Sequence, residues 1–584
     1  MKRFKKFIAS ALAASLSLTT FVGASSAASP SDKYADIFKL IEEDDDGFVD
    51  VTIWLNDPDF SSLDKMITDN MKQRGFSYSD IKSVLETDDE FCDDELLDES
   101  TDIDNKIIDT YLAANQSVRE KLLTKHNSDF CNKYITNENI LFSGKNIPIV
   151  VCKLDKNTLL KMSYSKDISF MEEYDYTEVT NDDISISQLR SIVLGATFGN
   201  QGNGVKIGQI ESCVPDLSLC DSFSGCVITY LNENPDSPAA GNVEHATAVA
   251  NILIGENGLA HNAELVSYAL QGENASFYKG IDELVGESVN IINMSAGYYG
   301  TRQGTYDSYA KLVDYVVKNN NICFVKSAGN KNTSSGNTQI SSPGMAYNAI
   351  TVGNCDSTFS TISPSSLYTH SSGIAEKPDV VAPGMQIATE VTGYNTKSGT
   401  SFSSPAVAGA IAALMSHRSA YKTKPWLVKG GLAVGAKQGT YSGTTFFSNG
   451  GQTKEAGAGL INAHNSLYSH YVTMNNVQST TRTYTSTYDC PTGSKVRVAV
   501  TWYADAVNNG SIVSPSISTV NVNQYTITVK QGNTVLDTVQ NSSSMKNNML
   551  IMEVTAANDS NLTFEVTRLS GTVTDSVTIS YTID

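Results

Sequence analysis

Beyond its first 28 residues, this 584-residue chain has no run of about 18 apolar residues, so nothing later in it is expected to span a bilayer. It has no CxxC, no HExxH and no paired Cys/His spacing, so no zinc site is expected and no residue is assigned as a metal ligand. Basic residues are scarce: 42 Lys and Arg stand against 63 Asp and Glu, a net charge of −21. Phosphate-gripping surfaces need clustered Lys and Arg, so a nucleic-acid partner is not expected. The C-terminal SVTISYTID carries neither a basic nor a hydrophobic tail. Nine cysteines are an odd number, so at least one is unpaired within the chain. The cluster Cys213, Cys220 and Cys226 fits a disulfide, and fits buried free thiols at least as well.

What is present starts with a basic MKRFKKF, an apolar IASALAASLSLTTFVGA and the small residues GASSAA. This is the pattern of a signal peptide over 1–28, cut near Ala27 or Ala28, and it predicts a secreted protein. The length predicts several domains. Residues 29–183 are strongly acidic, peaking in ETDDEFCDDELLDESTDID at 86–104, a run read as a solvated face or loop. The strand-like FVDVTIWL and IPIVVCKL flank helical patterns there, which predicts a small α+β unit. From 184 to 468 charge thins, and apolar runs such as VKIGQI, VNIINM and NICFV alternate with helix-like stretches. That alternation predicts an α/β domain on a parallel sheet, with ligands at the carboxyl ends of its strands. From 469 to 584 period-two strands such as KVRVAVTWY and QYTITVK recur between polar loops, the pattern of an antiparallel β-sandwich.

Four segments of the middle domain carry residues suited to chemistry. GVKIGQIESC is a buried-looking strand that stops on Glu211, and a buried carboxylate needs a partner. EHATAVANILIG opens a helix with His245. CFVKSAGN is an apolar strand ending in Ala328, Gly329 and Asn330, where an amide could donate to a developing oxyanion, an interaction worth roughly 3–4 kcal/mol. In SGTSFSSPAVAGA, Gly399 permits a tight turn, Ser401 begins a helix and Pro405 is read as helping to start it. Taken singly, each has a structural explanation: a packing His, a turn Asn, a capping Ser.

Together, in the order carboxylate, His, Asn, Ser, they resemble the subtilisin-like serine proteases (subtilases). GLAHNAELVSYAL, NIINMSAG, KPDVVAPG and AGAGLINAHNSL are also similar to family segments, so the likeness runs from about 187 to 468. It implies a subtilisin-like parallel-sheet catalytic domain, with a propeptide over 29–183 acting as folding chaperone and inhibitor. It further implies an appended β-sandwich over 469–584. Ser401 is then the nucleophile of a serine endopeptidase, His245 its general base and acid, and Asn330 with the Ser401 N–H the oxyanion hole. Ser295, Ala296 and Gly297 would pair with substrate backbone as an added strand, and Ala328 and Gly329 would flank the specificity pocket. No cofactor is implied for the chemistry; structural calcium is compatible with the family but not readable here. The expected partners are polypeptide substrates and the propeptide, and the expected state is a monomer.

Two positions depart from the family pattern. Its HGT becomes His245-Ala246-Thr247, which adds a methyl group and predicts local repacking. Its catalytic Asp becomes Glu211, one methylene longer. A misplacement of about 1 Å can cost on the order of 100-fold, so an unadjusted Glu predicts a slow enzyme. Asp216 lies nearby in sequence as a second candidate for orienting His245. The alternative reading is a pseudoprotease that binds peptide or protein without turnover.

Overall fold

The computed structural model describes residue 37 and residues 48–58, 60, 63–74, 102–162, 165–173, 186–195, 201–236, 238, 241–271, 275–357, 359, 361–369, 375–437, 455–475, 477, 480–505, 522–541, 547–571 and 576–583. The expected signal peptide, Cys92, most of the acidic run at 86–104 and the stretch 174–185 lie outside these residues.

The first unit is a four-stranded antiparallel sheet of β1 (Phe48–Leu55), β2 (Ile140–Ser143), β3 (Ile149–Asp155) and β4 (Ile168–Glu173), in the order β2-β3-β1-β4. Its helices are α1 (Leu63–Gln73), α2 (Asp102–Tyr134) and α3 (Lys156–Met162). Val51, Ile53, Leu55, Val150, Cys152 and Leu154 form its core with Leu159 and Met162 of α3. The alternate residues Trp54, Ile149 and Val151 belong instead to a cluster shared with the next unit. A strand with period two can serve two cores in this way.

The second unit is a seven-stranded parallel sheet in the order β11-β10-β9-β8-β5-β7-β6. The strands are β5 (Lys206–Glu211), β6 (Val227–Tyr230), β7 (Glu264–Ala269), β8 (Ile291–Met294), β9 (Cys323–Ser327), β10 (Ile350–Cys355) and β11 (Val380–Pro383). Helices α4 (Ile186–Leu194), α5 (Asn242–Ile254), α6 (Ser276–Gly286), α7 (Ser308–Asn320), α8 (Thr400–His417) and α9 (Pro425–Gly435) cover it. One face carries the cluster of α4, α5, α8 and α9; the other carries that of α6 and α7. Helix α8 is buried along almost its whole length, which its Ala, Gly and Ser content makes possible. The expected α/β parallel-sheet domain is the fold observed.

The third unit has strands β12 (His470–Met474), β13 (Arg482–Cys490), β14 (Lys495–Thr501), β15 (Gln524–Gln531), β16 (Thr534–Gln540), β17 (Met549–Thr555), β18 (Ser560–Ser570) and β19 (Val577–Ile583). They form two antiparallel sheets, β12-β19-β14-β17 and β13-β18-β15-β16, around a common apolar core. This unit is docked tightly on α9. Trp426 Nε1 donates to Thr578 Oγ1 at 2.7 Å, and an added Cβ at Gly430 would fall 2.8 Å from Ser580 Oγ. Lys429 Nζ reaches Asn548 Oδ1 at 3.2 Å and Asp379 Oδ1 at 2.9 Å inside the protein. Asn348 exchanges hydrogen bonds with Ala504, and Glu376 with Asn547.

The eight described cysteines are all free thiols, so the Cys213, Cys220 and Cys226 cluster forms no disulfide.

Candidate active site

Glu211 is the last residue of β5, at the carboxyl edge of the sheet, and is 1% exposed. Strands β5 and β8 are paired with Ile210 opposite Met294, which brings the next residues, Glu211 and Ser295, side by side. Ser295 N–H donates to Glu211 Oε1 at 2.9 Å, and His245 Nδ1 lies 3.2 Å from Oε2. Both carboxylate oxygens therefore have partners, as a buried carboxylate requires. The longer Glu side chain reaches the neighbouring strand and the helix together.

His245 sits in the first turn of α5, behind the N-cap Gly241. Its ring meets Phe402 of α8 edge-on at 5.6 Å between centroids. Its Nε2 is buried and has no hydrogen-bond partner among the described residues. Ser401 lies in the first turn of α8, whose N-cap is Gly399, so it is not the capping residue. Its Oγ donates to Ser295 O at 3.4 Å, a long bond.

The reading of Pro405 as a helix starter is corrected here, because Pro405 lies inside α8, one turn in. Proline has no N–H, so the Ser401 carbonyl loses its helical donor. Ser295 Oγ replaces that donor, giving its proton to Ser401 O at 2.8 Å. Ser295 thus ties the carboxylate strand to the nucleophile helix at three points. In this state its N–H is taken by Glu211, and its C=O accepts from Ser401 Oγ and from Ser327 Oγ at 3.1 Å.

Asn330 follows β9. Its Oδ1 accepts the Thr400 N–H at 3.0 Å, which fixes the amide so that Nδ2 faces away from that bond. Thr400 Oγ1 also accepts the Gly329 N–H at 3.0 Å, so one threonine holds both Gly329 and Asn330. Gly329 has φ +98°, a conformation that glycine adopts without strain. The Ser401 N–H, among the orphan donors of the helix start, meets no protein acceptor among the described residues. Ala328 is buried, with its N–H on Val352 O at 2.9 Å and its C=O accepting from Ser341 N at 3.1 Å.

Asp216 does not face His245. It caps a short 3-10 turn, with Oδ1 accepting from Ser218 N at 2.9 Å and Ser218 Oγ at 2.7 Å.

The sequence reading passed over Lys326, in the middle of CFVKSAGN. It is wholly buried, and Nζ donates to Ser327 O at 2.6 Å, Ser327 Oγ at 2.9 Å and Ser341 Oγ at 3.1 Å. Burial draws its ammonium down to about 7, and the Glu211 carboxylate opposes that shift. The legible signal was a charge inside an apolar strand. Thr400 gave no such signal.

The arrangement offers a buried carboxylate on an imidazole, a hydroxyl at a helix start, and an amide with a backbone N–H beside it. These parts suit acyl transfer. Residues 202–430 match the sequence model of the Subtilase family, Peptidase S8. Subtilisin NAT of Bacillus subtilis subsp. natto is 27% identical over 334 residues, covering 54% of this chain and 80% of that protein. Subtilisin of Bacillus pumilus is 28% identical over 289 residues, covering 47% of this chain and 95% of that protein. Among solved structures, the epidermin leader peptide processing serine protease of Staphylococcus aureus is 17% identical, with 58% of this chain and 96% of that chain covered and a TM-score of 0.44.

Proposed function

We propose that this subtilisin-like serine endopeptidase is secreted, is made as a self-inhibited precursor, and cuts polypeptides through an acyl-enzyme on Ser401. His245 Nε2 takes the Ser401 proton as the hydroxyl attacks the scissile carbonyl, and later gives it to the leaving amine. To do so, Ser401 Oγ leaves Ser295 O by rotating to another staggered position, which costs little because the bond it gives up is 3.4 Å long. Glu211 holds the imidazole by Nδ1 and stabilises the imidazolium. The Asn330 amide and the Ser401 N–H receive the oxyanion, and water then releases the acyl group.

The observation that carries this reading is the 3.2 Å contact between His245 Nδ1 and Glu211, whose other oxygen is anchored on Ser295. The basic and apolar N-terminus supports secretion. Among the described residues no helix is long and apolar enough to cross a membrane. The inhibitory role of 29–183 is supported by its docking: Asp282 of α6 accepts N–H bonds from Lys145 at 3.0 Å and Asn146 at 2.6 Å. Arg119 donates to Tyr315 Oη at 3.0 Å, and Tyr315 donates to Asp57 at 2.8 Å. The protein acts as a monomer, with no cofactor in the chemistry.

The test is labelling of the wild type and of Ser401→Ala by a fluorophosphonate, with cleavage of an unfolded protein in parallel. Labelling and cleavage that both vanish in Ser401→Ala support the reading. A folded wild type that takes no label would overturn it. That outcome would favour a binding protein without turnover, the reading to which the resting Ser401–Ser295 contact and the unpaired His245 Nε2 lend themselves.

A further inference from the structure

We infer that Lys326, Ser341 and Tyr299 form the floor of the P1 pocket and select an acidic P1 residue, aspartate ahead of glutamate. The inference rests on the peptidase reading above, and adds to it the substrate class.

The P1 side chain of a substrate held at Ser401 would enter between the segments 295–297 and 328–330. The innermost residues there are Gly297 and Gly329. An added Cβ at Gly297 would fall 2.5 Å from Ser341 Oγ and 3.0 Å from Lys326 Nζ. One at Gly329 would fall 2.5 Å from Tyr299 Oη and 3.0 Å from Ser341 Oγ. Two hydroxyls and the Lys326 amine therefore lie directly against both glycines, and a P1 side chain entering there would meet them first. A short side chain reaches that floor, whereas a large apolar one would strip polar groups of their partners and return none.

The proton count shows what the floor lacks. Lys326 Nζ donates to Ser341 Oγ at 3.1 Å, and Asn330 N donates to Tyr299 Oη at 3.0 Å. The Ser341 and Tyr299 hydroxyls both approach the point where a Gly329 Cβ would fall, and neither donates to an acceptor among the described residues within hydrogen-bond geometry. Burial keeps Tyr299 in its phenol form, so the proton is present. The floor therefore offers a spare donor backed by a buried cation, and a carboxylate supplies both the missing acceptor and a counter-charge. Among the described residues, Glu211 is the carboxylate that acts on Lys326, and it is already committed to Ser295 and His245.

The chain's own sequence agrees. Between Lys166 and Arg190, where self-processing would fall, there is no basic residue, but YDYTEVTNDDIS at 174–185 supplies Asp175, Glu178, Asp182 and Asp183.

The test uses the self-processed protein and peptides differing only in P1: Asp, Glu, Asn and Leu. In the wild type, kcat/KM should be at least tenfold higher for Asp than for Asn, with Glu between them and Leu lowest. N-terminal sequencing should place the self-cut after one of the four acids. In Lys326→Met, the Asp-to-Asn ratio should fall to near one, read in protein that still takes the fluorophosphonate. Should that variant not fold, Tyr299→Phe and Ser341→Ala each remove one hydroxyl and should lower the ratio several-fold. Preference for Leu in a wild type that labels overturns this inference and leaves the peptidase reading standing; a wild type that does not label overturns both. A ratio unchanged in the variants, or loss of labelling in all three, also overturns it, since the cluster would then not address the P1 side chain.

Discussion

Shortening Glu211 to aspartate separates the two jobs its carboxylate performs. Strand β5 is the central partner of β7 and β8, so its backbone cannot follow the side chain inward. The carboxylate would retract by roughly one C–C bond, ~1.5 Å. It would then keep either the 2.9 Å bond from Ser295 N or the 3.2 Å contact with His245 Nδ1, but not both. If it stays on Ser295, the imidazole loses its orienter, and a misplacement of this size costs on the order of 100-fold in kcat. Glu211→Gln keeps the length and loses the charge. Its amide can present the wrong group to Nδ1, and the corresponding change in a related triad costs about 10⁴, or roughly 5.5 kcal/mol. The expected order is therefore wild type, then Glu211→Asp, then Glu211→Gln, in kcat on a single peptide with KM nearly constant. Self-processing should fall in the same order. An aspartate variant as fast as the wild type would refute the argument that the longer side chain is fitted to its two partners. Full activity in Glu211→Gln would remove Glu211 from the role and return Asp216 to consideration.

Further expectations concern the oxyanion site and the two docked units. Asn330→Ala should lower kcat by about 10²–10³ with KM little changed, because the amide held by Thr400 is used as charge develops; an equal rise in KM would contradict this. Asp282 is pushed up to about 6 by burial, with the N–H groups of Lys145 and Asn146 pulling it back. A carboxyl raised in the docked state favours docking at low pH and loses that contribution as pH rises toward 6. In the full chain, intrinsic-corrected hydrogen exchange of 140–155 should therefore quicken by about one to two powers of ten between pH 4 and pH 6 and then level off. Asp282→Asn should flatten that profile. The β-sandwich shares buried polar bonds with α9 and contributes Ala499, Met549 and Ile551 to the core on that face of the parallel sheet. Calorimetry of the full chain should show the two melting together, and removal of 470–584 should leave the rest insoluble; separate transitions would refute the shared core.

Much of the architecture was legible because it is written in local periodicity. Continuous apolar runs such as NICFV marked strands buried on both faces, and QYTITVK, with every second residue buried, marked a half-exposed one. Glu211 stood out as a charge at the end of an apolar strand, whereas His245, Asn330 and Ser401, each ordinary alone, stood out because their order with it resembles that of the subtilases. Pro405 misled because its position in a helix depends on where the first turn begins, which Gly399 and Thr400 decided. The missing helical donor at Ser401 could not be seen in sequence, since the compensating hydroxyl of Ser295 lies more than a hundred residues away.

The sequence by itself determined the three units, the parallel sheet and the types of group available for catalysis, because period, composition and turn residues act over short distances. The tertiary structure decided which carboxylate meets the imidazole. Asp216 accepts from Ser218 through Oδ1, while Glu211 sits where β5, β8 and α5 converge. It also turned Lys326 from an oddity in a strand into a buried cation beneath Gly297 and Ser341. Charges find their partners through space, and only the packed chain specifies those distances.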